Sequence, residues 1–270
     1  FARQVLALGD DGQRALRQLR VGVVGLGGVG SIVAAQLGHL GIGALTLVDG
    51  DIVEATNVSR ILGVRAGDAG RTAKTEVARR YLAEAGLPIE IRAVARYLER
   101  REDVRLLADC DAILICVDRH TPRALLNRLA YEALIPVIDM GSGFRVDGDG
   151  RIVGAAGRVV VVGPGRPCLG CWGHLDPDAL RREALPAAER AALAAEGYIH
   201  GAEVPQPSVI PFNTMVAGAA VIELLRLVTR FAGADDPPQR LAFQFADGTV
   251  RRNSLAEVPA CATCGRRRAA

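Results

Sequence analysis

Residues 21–40 constrain the fold more than any other stretch of this chain. A five-residue apolar run, Val21 to Gly25, enters Gly25-Leu26-Gly27-Gly28-Val29-Gly30-Ser31, and Val29 to Leu40, an apolar segment of helical length, leaves it. A short apolar run bounded by glycine reads as a strand, and the longer segment reads as a helix. A strand that turns directly into a helix opens a crossover, so the following strand lies parallel to the first.

The alternation continues. Ala44 to Val48, Ile89 to Val94 and Ala112 to Val117 read as strands, with helices expected over Arg71–Ala85, Glu99–Leu107 and Pro122–Leu134, and Pro136 to Met140 closes the series. This pattern calls for an α/β fold with a Rossmann-like, doubly wound, mainly parallel sheet. After Gly141 the runs become antiparallel in type, Val153 to Val162, then Leu241 to Phe245 with Thr249 to Arg252. Between them Asp176–Gly197 is rich in Ala, Arg and Glu and offers little large apolar surface, as expected of a crossover or lid. Val209 to Phe231 reads as the longest helix of this half. The division expected is a helical arm (1–20), a nucleotide-binding part (21–140) and a substrate-binding half (141–270) with a crossover at about 172–205.

The 270 residues are half apolar and only 4% aromatic, which supplies a core of Val, Leu, Ile and Ala for one large domain or two small ones. A net charge of +3 argues against nucleic-acid binding by bulk charge. Met215 to Leu225, the longest apolar stretch, is interrupted by Glu223 and is too short to cross a bilayer. No signal peptide is evident, and a cytoplasmic protein with neither nucleic acid nor membrane as partner is expected.

Gly25, Gly27 and Gly30 satisfy a GxGxxG pattern between strand and helix, where backbone can approach a phosphate and helix amides can donate to it. Asp49, at the end of the second strand, is placed to accept hydrogen bonds from a ribose. Up to this point an NAD-dependent oxidoreductase fits. Asn57, Arg60 and Lys74 then follow, and two cations with an amide exceed the needs of one pyrophosphate and suit a triphosphate better. Of 33 cationic side chains Lys74 is the single lysine. Either it is a chance survivor of an arginine-rich composition, or it stands where a compact ammonium is needed. Asp118, after the strand Ala112–Val117, faces the same crevice and suits Mg²⁺. The combination favours ATP with magnesium.

Phe1-Ala2-Arg3-Gln4, GLGGVGS, LVDGDIVEATNVSR, Lys74, the CVD ending at Asp118, CLGC and CATC together resemble the ubiquitin-activating-enzyme-like adenylyltransferases of the ThiF, MoeB and HesA type, over nearly the whole chain. The resemblance implies ATP-dependent adenylation of the C-terminal carboxylate of a small ubiquitin-like or sulfur-carrier protein ending in Gly-Gly, with release of pyrophosphate. It implies a nucleotide site of Gly25, Gly27, Gly28, Gly30, Asp49, Asp51, Asn57, Arg60, Lys74 and Asp118. In that site Asp49 takes the ribose, Asn57, Arg60 and Lys74 take phosphates, and Asp118 takes magnesium. It also implies a homodimer in which Arg3 completes the partner's site, making Arg3, Arg60, Lys74 and Asp118 the catalytic set.

Cys168 and Cys171, with Cys261 and Cys264, form two CxxC pairs suited to a closed structural Zn²⁺ site, against a competing reading as redox-active or merely buried pairs. Family members that go beyond adenylation carry a nucleophilic cysteine in or after the crossover; Tyr198–Pro211 has none. Cys110 and Cys116 flank a strand and read as small apolar groups. The adenylate is therefore expected to pass to an outside nucleophile, a downstream conjugating or sulfur-donating enzyme. His39, His120, His174 and His200 read as bystanders; Ser31 reads as a helix-start residue, and Ser142 and Ser208 lack a neighbouring base. Other readings kept open are adenylation of a short peptide or a modified tRNA nucleoside, the NAD-dependent oxidoreductase, and a silent nucleotide-binding scaffold.

Overall fold

The structure, a computed structural model, describes residues 1–186, 188–190, 207–229, 231, 239–256 and 258–265. In chain order it has α1 (Ala2–Gln18), β1 (Arg20–Val24), α2 (Gly28–Leu40), β2 (Ala44–Val48), α3 (Lys74–Glu84), β3 (Glu90–Val94) and β4 (Ala112–Ile115). Then follow α4 (His120–Glu132), β5 (Val137–Val146), β6 (Ile152–Val162), α5 (Pro177–Ala184), α6 (Ile210–Thr229), β7 (Arg240–Gln244) and β8 (Thr249–Asn253). One eight-stranded sheet runs in the order β3-β2-β1-β4-β5-β6-β7-β8. The pairs from β3 to β5 are parallel, and those from β5 to β8 are antiparallel. The chain reverses between β1 and β4, which opens a crevice at their carboxyl ends, the place where ligands bind in such sheets.

The central strands are apolar along their whole length because both faces are covered. Val21, Val23, Leu45, Leu47, Leu114, Ile138, Val159 and Val161 pack toward α2 and α6. Their neighbours Val24, Val48, Ile113, Ile115, Val137, Val160 and Val162 pack toward α4. α6 has twenty residues with a mean hydropathy of 1.4, the length and composition of a membrane span, and so exceeds the eleven-residue apolar run expected from the sequence. In the fold it lies on the sheet, with Val216, Ala217, Ala220, Val221 and Leu224 buried and with Asn213 and Glu223 buried on the same helix.

Three departures from the expected elements have local causes. The helix expected over Glu99–Leu107 is a 3₁₀ turn, Asp103–Leu107, because the Asp103 carboxylate accepts the Glu99 and Arg100 amides at 3.0 and 2.8 Å and only Val104 and Leu107 find cover. α3 starts at Lys74 rather than Arg71, since Ala73 is extended in a bridge to Ile52 and the Lys74 amide donates to the Asp51 carbonyl at 3.0 Å. β5 continues past Met140 to Val146, through Gly141 and Gly143, to form a long hairpin with β6. The 140/141 division therefore lies inside a strand. Of the expected crossover, α5 is described and residues 191–206 lie outside the described residues.

Candidate nucleotide site

β1 delivers the chain into a turn that tolerates no side chain at two positions. Gly25 has φ +88°, and a Cβ there would stand 2.7 Å from Val117 and 2.9 Å from the Cys116 backbone. At Gly30 a Cβ would fall 1.8 Å from the Gly25 carbonyl oxygen, so the strand and helix could not close. At Gly27, the residue before α2, a Cβ would meet nothing within 4 Å. The N-terminus of α2 is thus open to space above Gly27, with helix amides facing it.

Asp49 follows β2 and is 9% exposed; its carboxylate accepts the Leu26 amide at 2.6 Å and the Asp51 amide at 2.8 Å. It therefore ties the second strand to the glycine turn. Burial pushes its carboxyl above the ordinary range, against the two amides and Lys74, which pull it down. The Lys74 ammonium, 12% exposed, lies 2.6 Å from the Asp51 carboxylate, whose other oxygen accepts the Tyr97 hydroxyl at 2.6 Å. Burial alone would raise the Asp51 carboxyl, but the hydrogen bonds from Lys74 and Tyr97 hold it below its usual value. The Tyr97 hydroxyl is in turn pushed up to about 12, chiefly by donating to Asp51.

The other expected residues are placed less tightly. Asn57 is 2% exposed and accepts the Glu54 amide at 3.0 Å, which caps its own turn. Arg60 is half-buried and donates to the Thr56 carbonyl at 2.8 Å. Asp118 is exposed two residues beyond Cys116, whose amide donates to the Val24 carbonyl, so it stands beside the glycine turn. Arg3 is exposed on the first turn of α1. Next to it, Gln4 donates to the Leu40 carbonyl at the far end of α2. Thirteen residues at about 1.5 Å each separate that end from the glycine turn, so Arg3 is roughly 20 Å from the glycine turn of its own chain.

Several residues join this region without a signal in the sequence. A Cβ at Gly28 would fall 2.4 Å from Asn213 Nδ2, and Asn213 links Ser208 at 3.0 Å to Ser142 at 2.8 Å. Ser142 and Ser208 thus form a network behind the glycine turn, not a nucleophile and base. Glu183 of α5 accepts the His120 and Thr121 amides at 2.8 and 2.7 Å, which caps α4 immediately after Asp118. Behind β4, the fully buried Asp139 receives Arg123 through two 2.8 Å bonds and Arg158 at 3.3 Å. A polar residue in an apolar strand, Asp139 in Val-Ile-Asp-Met, was the available clue.

The four cysteines of the CxxC pairs meet. Their sulfurs lie within 4.8 Å of one another, at 3.7 Å for Cys168–Cys171 and 3.6 Å for Cys168–Cys261 and Cys171–Cys264. A tetrahedron of sulfurs at about 2.3 Å from zinc has edges of about 3.8 Å, whereas a disulfide needs about 2.05 Å. The donor set and spacing fit zinc. The loop docks on α4, where Asn127 accepts the Leu169 amide at 2.8 Å, and it covers the apolar surface with Cys168 and Leu169. Outside this cluster Cys110 is buried and its thiol pushed up to about 11 by that burial, and burial pushes Cys116 higher still. Neither is a poised nucleophile.

A comparison with protein families matches the ThiF family over residues 1–263. The molybdopterin-synthase adenylyltransferase of Escherichia coli K12 is 33% identical over 177 residues, covering 65% of this chain and 68% of that protein. The Salmonella typhimurium protein of the same name is 28% identical over 98% of this chain and 95% of its own length. The adenylyltransferase and sulfurtransferase UBA4 of Meyerozyma guilliermondii is 29% identical over 81% of this chain, which spans 45% of that longer protein. Among solved structures, E. coli MccB with ATP shares the fold, with a TM-score of 0.75 and 20% identity over 98% of this chain and 74% of that one. Matched by the family along nearly its whole length, the chain belongs to the ThiF family.

Proposed function

We propose that the protein adenylates the C-terminal carboxylate of a small ubiquitin-like or sulfur-carrier protein ending in Gly-Gly. The observation that carries this reading is the Lys74–Asp51–Asp49 chain of contacts, which ties a lone ammonium to the glycine turn, with the exposed Asp118 beside it. The Asp49 oxygens have lone pairs left for ribose hydroxyls. The open amides above Gly27 receive phosphate, Lys74 exchanges Asp51 for phosphate oxygens, and Asn57 and Arg60 serve as further phosphate contacts. A carboxylate oxygen of the substrate attacks the α-phosphorus, the bond to the bridging oxygen breaks, and pyrophosphate leaves with the electron pair, giving acyl-adenylate. Charge gathers on the phosphate oxygens in the transition state, where a preplaced cation is worth most. Asp118 would hold Mg²⁺, which when bound neutralises phosphate charge. Cys168, Cys171, Cys261 and Cys264 would hold Zn²⁺ in a closed structural site.

The distance of Arg3 from its own glycine turn supports a homodimer in which Arg3 serves the partner's phosphates. The burial of Cys110 and the raised thiols of both Cys110 and Cys116 support transfer of the adenylate to an outside nucleophile, in a pathway we place in the cytoplasm. The test is exchange of labelled pyrophosphate into ATP in the presence of Gly-Gly-ending carrier proteins. Exchange that requires the carrier's terminal carboxylate is expected; its absence with every carrier encoded beside this chain would overturn the reading.

A further inference from the structure

A second site stands on the antiparallel part of the sheet. A cavity of about 510 Å³ opens on the α4 side of β5, β6 and β7, where residues at Gly141 and Gly143 leave a low floor and Arg145, Arg158, Arg240 and His174 form the walls. Among the described residues six buried side-chain polar atoms lack a hydrogen-bond partner, and three belong to residues of this wall: Arg158 Nε, Arg240 Nε and His174 Nε2. Buried polar groups rarely go without partners, so three in one cavity wall, two of them guanidinium donors, point to an acceptor that arrives from outside. The charges agree. Asp139, the buried acid bound to Arg158, is already held by both nitrogens of Arg123, so Arg158 and Arg240 leave the wall with surplus positive charge.

β5 links the wall of this cavity to the nucleotide site. Gly141 pairs with Arg158 across the hairpin, and the next residue, Ser142, donates to Asn213 against Gly28 of the glycine turn. Arg158 lies two strands from β4, the strand that leads to Asp118, and Arg240 three, or roughly 10 and 15 Å at about 4.8 Å per strand. An extended peptide advances about 3.3 Å per residue, so a chain whose carboxylate sits beside Asp118 would bring the residues about three to five before its terminal one, the fourth to sixth from the end, over these arginines.

We propose that this cavity binds a carboxylate side chain, Asp or Glu, three to five residues before the reacting C-terminus of the substrate, and so selects substrates with an acidic tail. This rests on the adenylation reading only for which end of the peptide faces the nucleotide.

The test contains no ATP, so its failure is separate from a failure of pyrophosphate exchange. Synthetic heptapeptides ending in Gly-Gly, carrying Glu or Gln at the fourth, fifth or sixth position from the end, are titrated by calorimetry into the full chain as purified. At one position or more the Glu peptide binds at least tenfold tighter than its Gln counterpart. That preference falls below threefold in Arg240→Gln, and likewise in Ala156→Glu, which places a carboxylate on the exposed floor of the cavity. Both variants keep the wild-type zinc content and thermal midpoint. Equal affinity of Glu and Gln peptides, no measurable binding of any of them, or a preference that survives both substitutions overturns the proposal. Displacement of the Glu peptide by inorganic pyrophosphate at lower concentration than by free peptide also overturns it, by assigning the cavity to a free phosphate.

Discussion

The nucleotide crevice and the cysteine loop are held together in opposite ways. In the crevice the contacts run through the backbone over short separations: Asp49 binds amides 23 and 2 residues away, and the Lys74 amide meets the Asp51 carbonyl before its side chain meets the Asp51 carboxylate. In the second half, side chains far apart in sequence meet without such a frame. Cys168 finds Cys261 93 residues away, Ser142 finds Asn213 71 residues away, and Glu183 finds the start of α4 63 residues away. A frame of short loops is assembled by the sheet itself, whereas long loops have to be closed against chain entropy, and a metal held by the four proposed thiolate ligands would offset that cost.

The sharpest way to break this contrast is Lys74→Arg. The guanidinium is wider and planar, and we expect adenylation to fall by about 10²–10³-fold, in the range for loss of one transition-state donor. Thermal midpoint and zinc content stay unchanged, because the backbone frame survives. Near-normal pyrophosphate exchange would return the lysine to composition.

The converse substitution is Cys264→Ala, or removal of metal by a chelator. Bound zinc falls from one per chain, and the midpoint drops by roughly 10 °C, as a loss of about 3–5 kcal/mol would give in a chain of this size. Amide exchange should rise first around residues 168–174 and 258–265 while β1, β2 and β4 stay protected. Uniform loss of protection would merge the two regions into one cooperative unit.

Asp139→Asn tests the seam between them. Without the carboxylate Arg123 is left as an unpaired buried charge, at a cost of about 3–5 kcal/mol measurable in urea unfolding, and Arg123→Met with Asp139→Leu recovers much of it. If the single variant is as stable as wild type, the triad is not what holds α4 to β5.

The pH dependence belongs to the crevice side. The Arg80 guanidinium beside Asp68, aided by the Arg65 amide and the Thr72 hydroxyl, holds the Asp68 carboxyl well below the usual range despite its burial. A folded carboxyl more acidic than the unfolded one stabilises at pH above the unfolded value, near 3.8, and that stability is lost as pH falls further. Below pH 4 the 65–72 loop that leads to Lys74 should loosen, and Asp68→Asn should remove this part of the acid transition. The smallest effect is expected for Tyr97→Phe, which deletes one hydrogen bond to Asp51, about 1 kcal/mol, or roughly a fivefold rise in KM for ATP with the cysteine loop unmoved.

How far each region was legible follows from the same contrast. Gly25, Gly30 and Asp49 were readable because a strand, a turn without side chains and a placed acid have to follow one another along the chain. Lys74 was readable because it is the only lysine, and the cysteines because CxxC is a local spacing with a metal's geometry in it. Tyr97 was not: its role depends on the 46-residue reach to Asp51, which no periodicity encodes. Asn213 and Glu183 were hidden likewise, as ordinary polar residues whose partners come from other elements. The 3₁₀ turn at Asp103–Leu107 was misread as a helix because the competing cap lies on the same few residues that carry helical propensity.

By itself, then, the chain's order of residues determined the doubly wound half, the glycine turn with its acid and lysine, and the pairing of thiols, since these depend on neighbours a few bonds or one crossover away. The tertiary structure alone decided that Arg3 stands about 20 Å from its own glycine turn, that two arginines share the one carboxylate of Asp139 at the seam, and that three buried polar atoms without partners belong to the wall of one cavity. Those depend on which distant surfaces pack together, and packing responds to shape and charge summed over the whole molecule, not to any stretch of it.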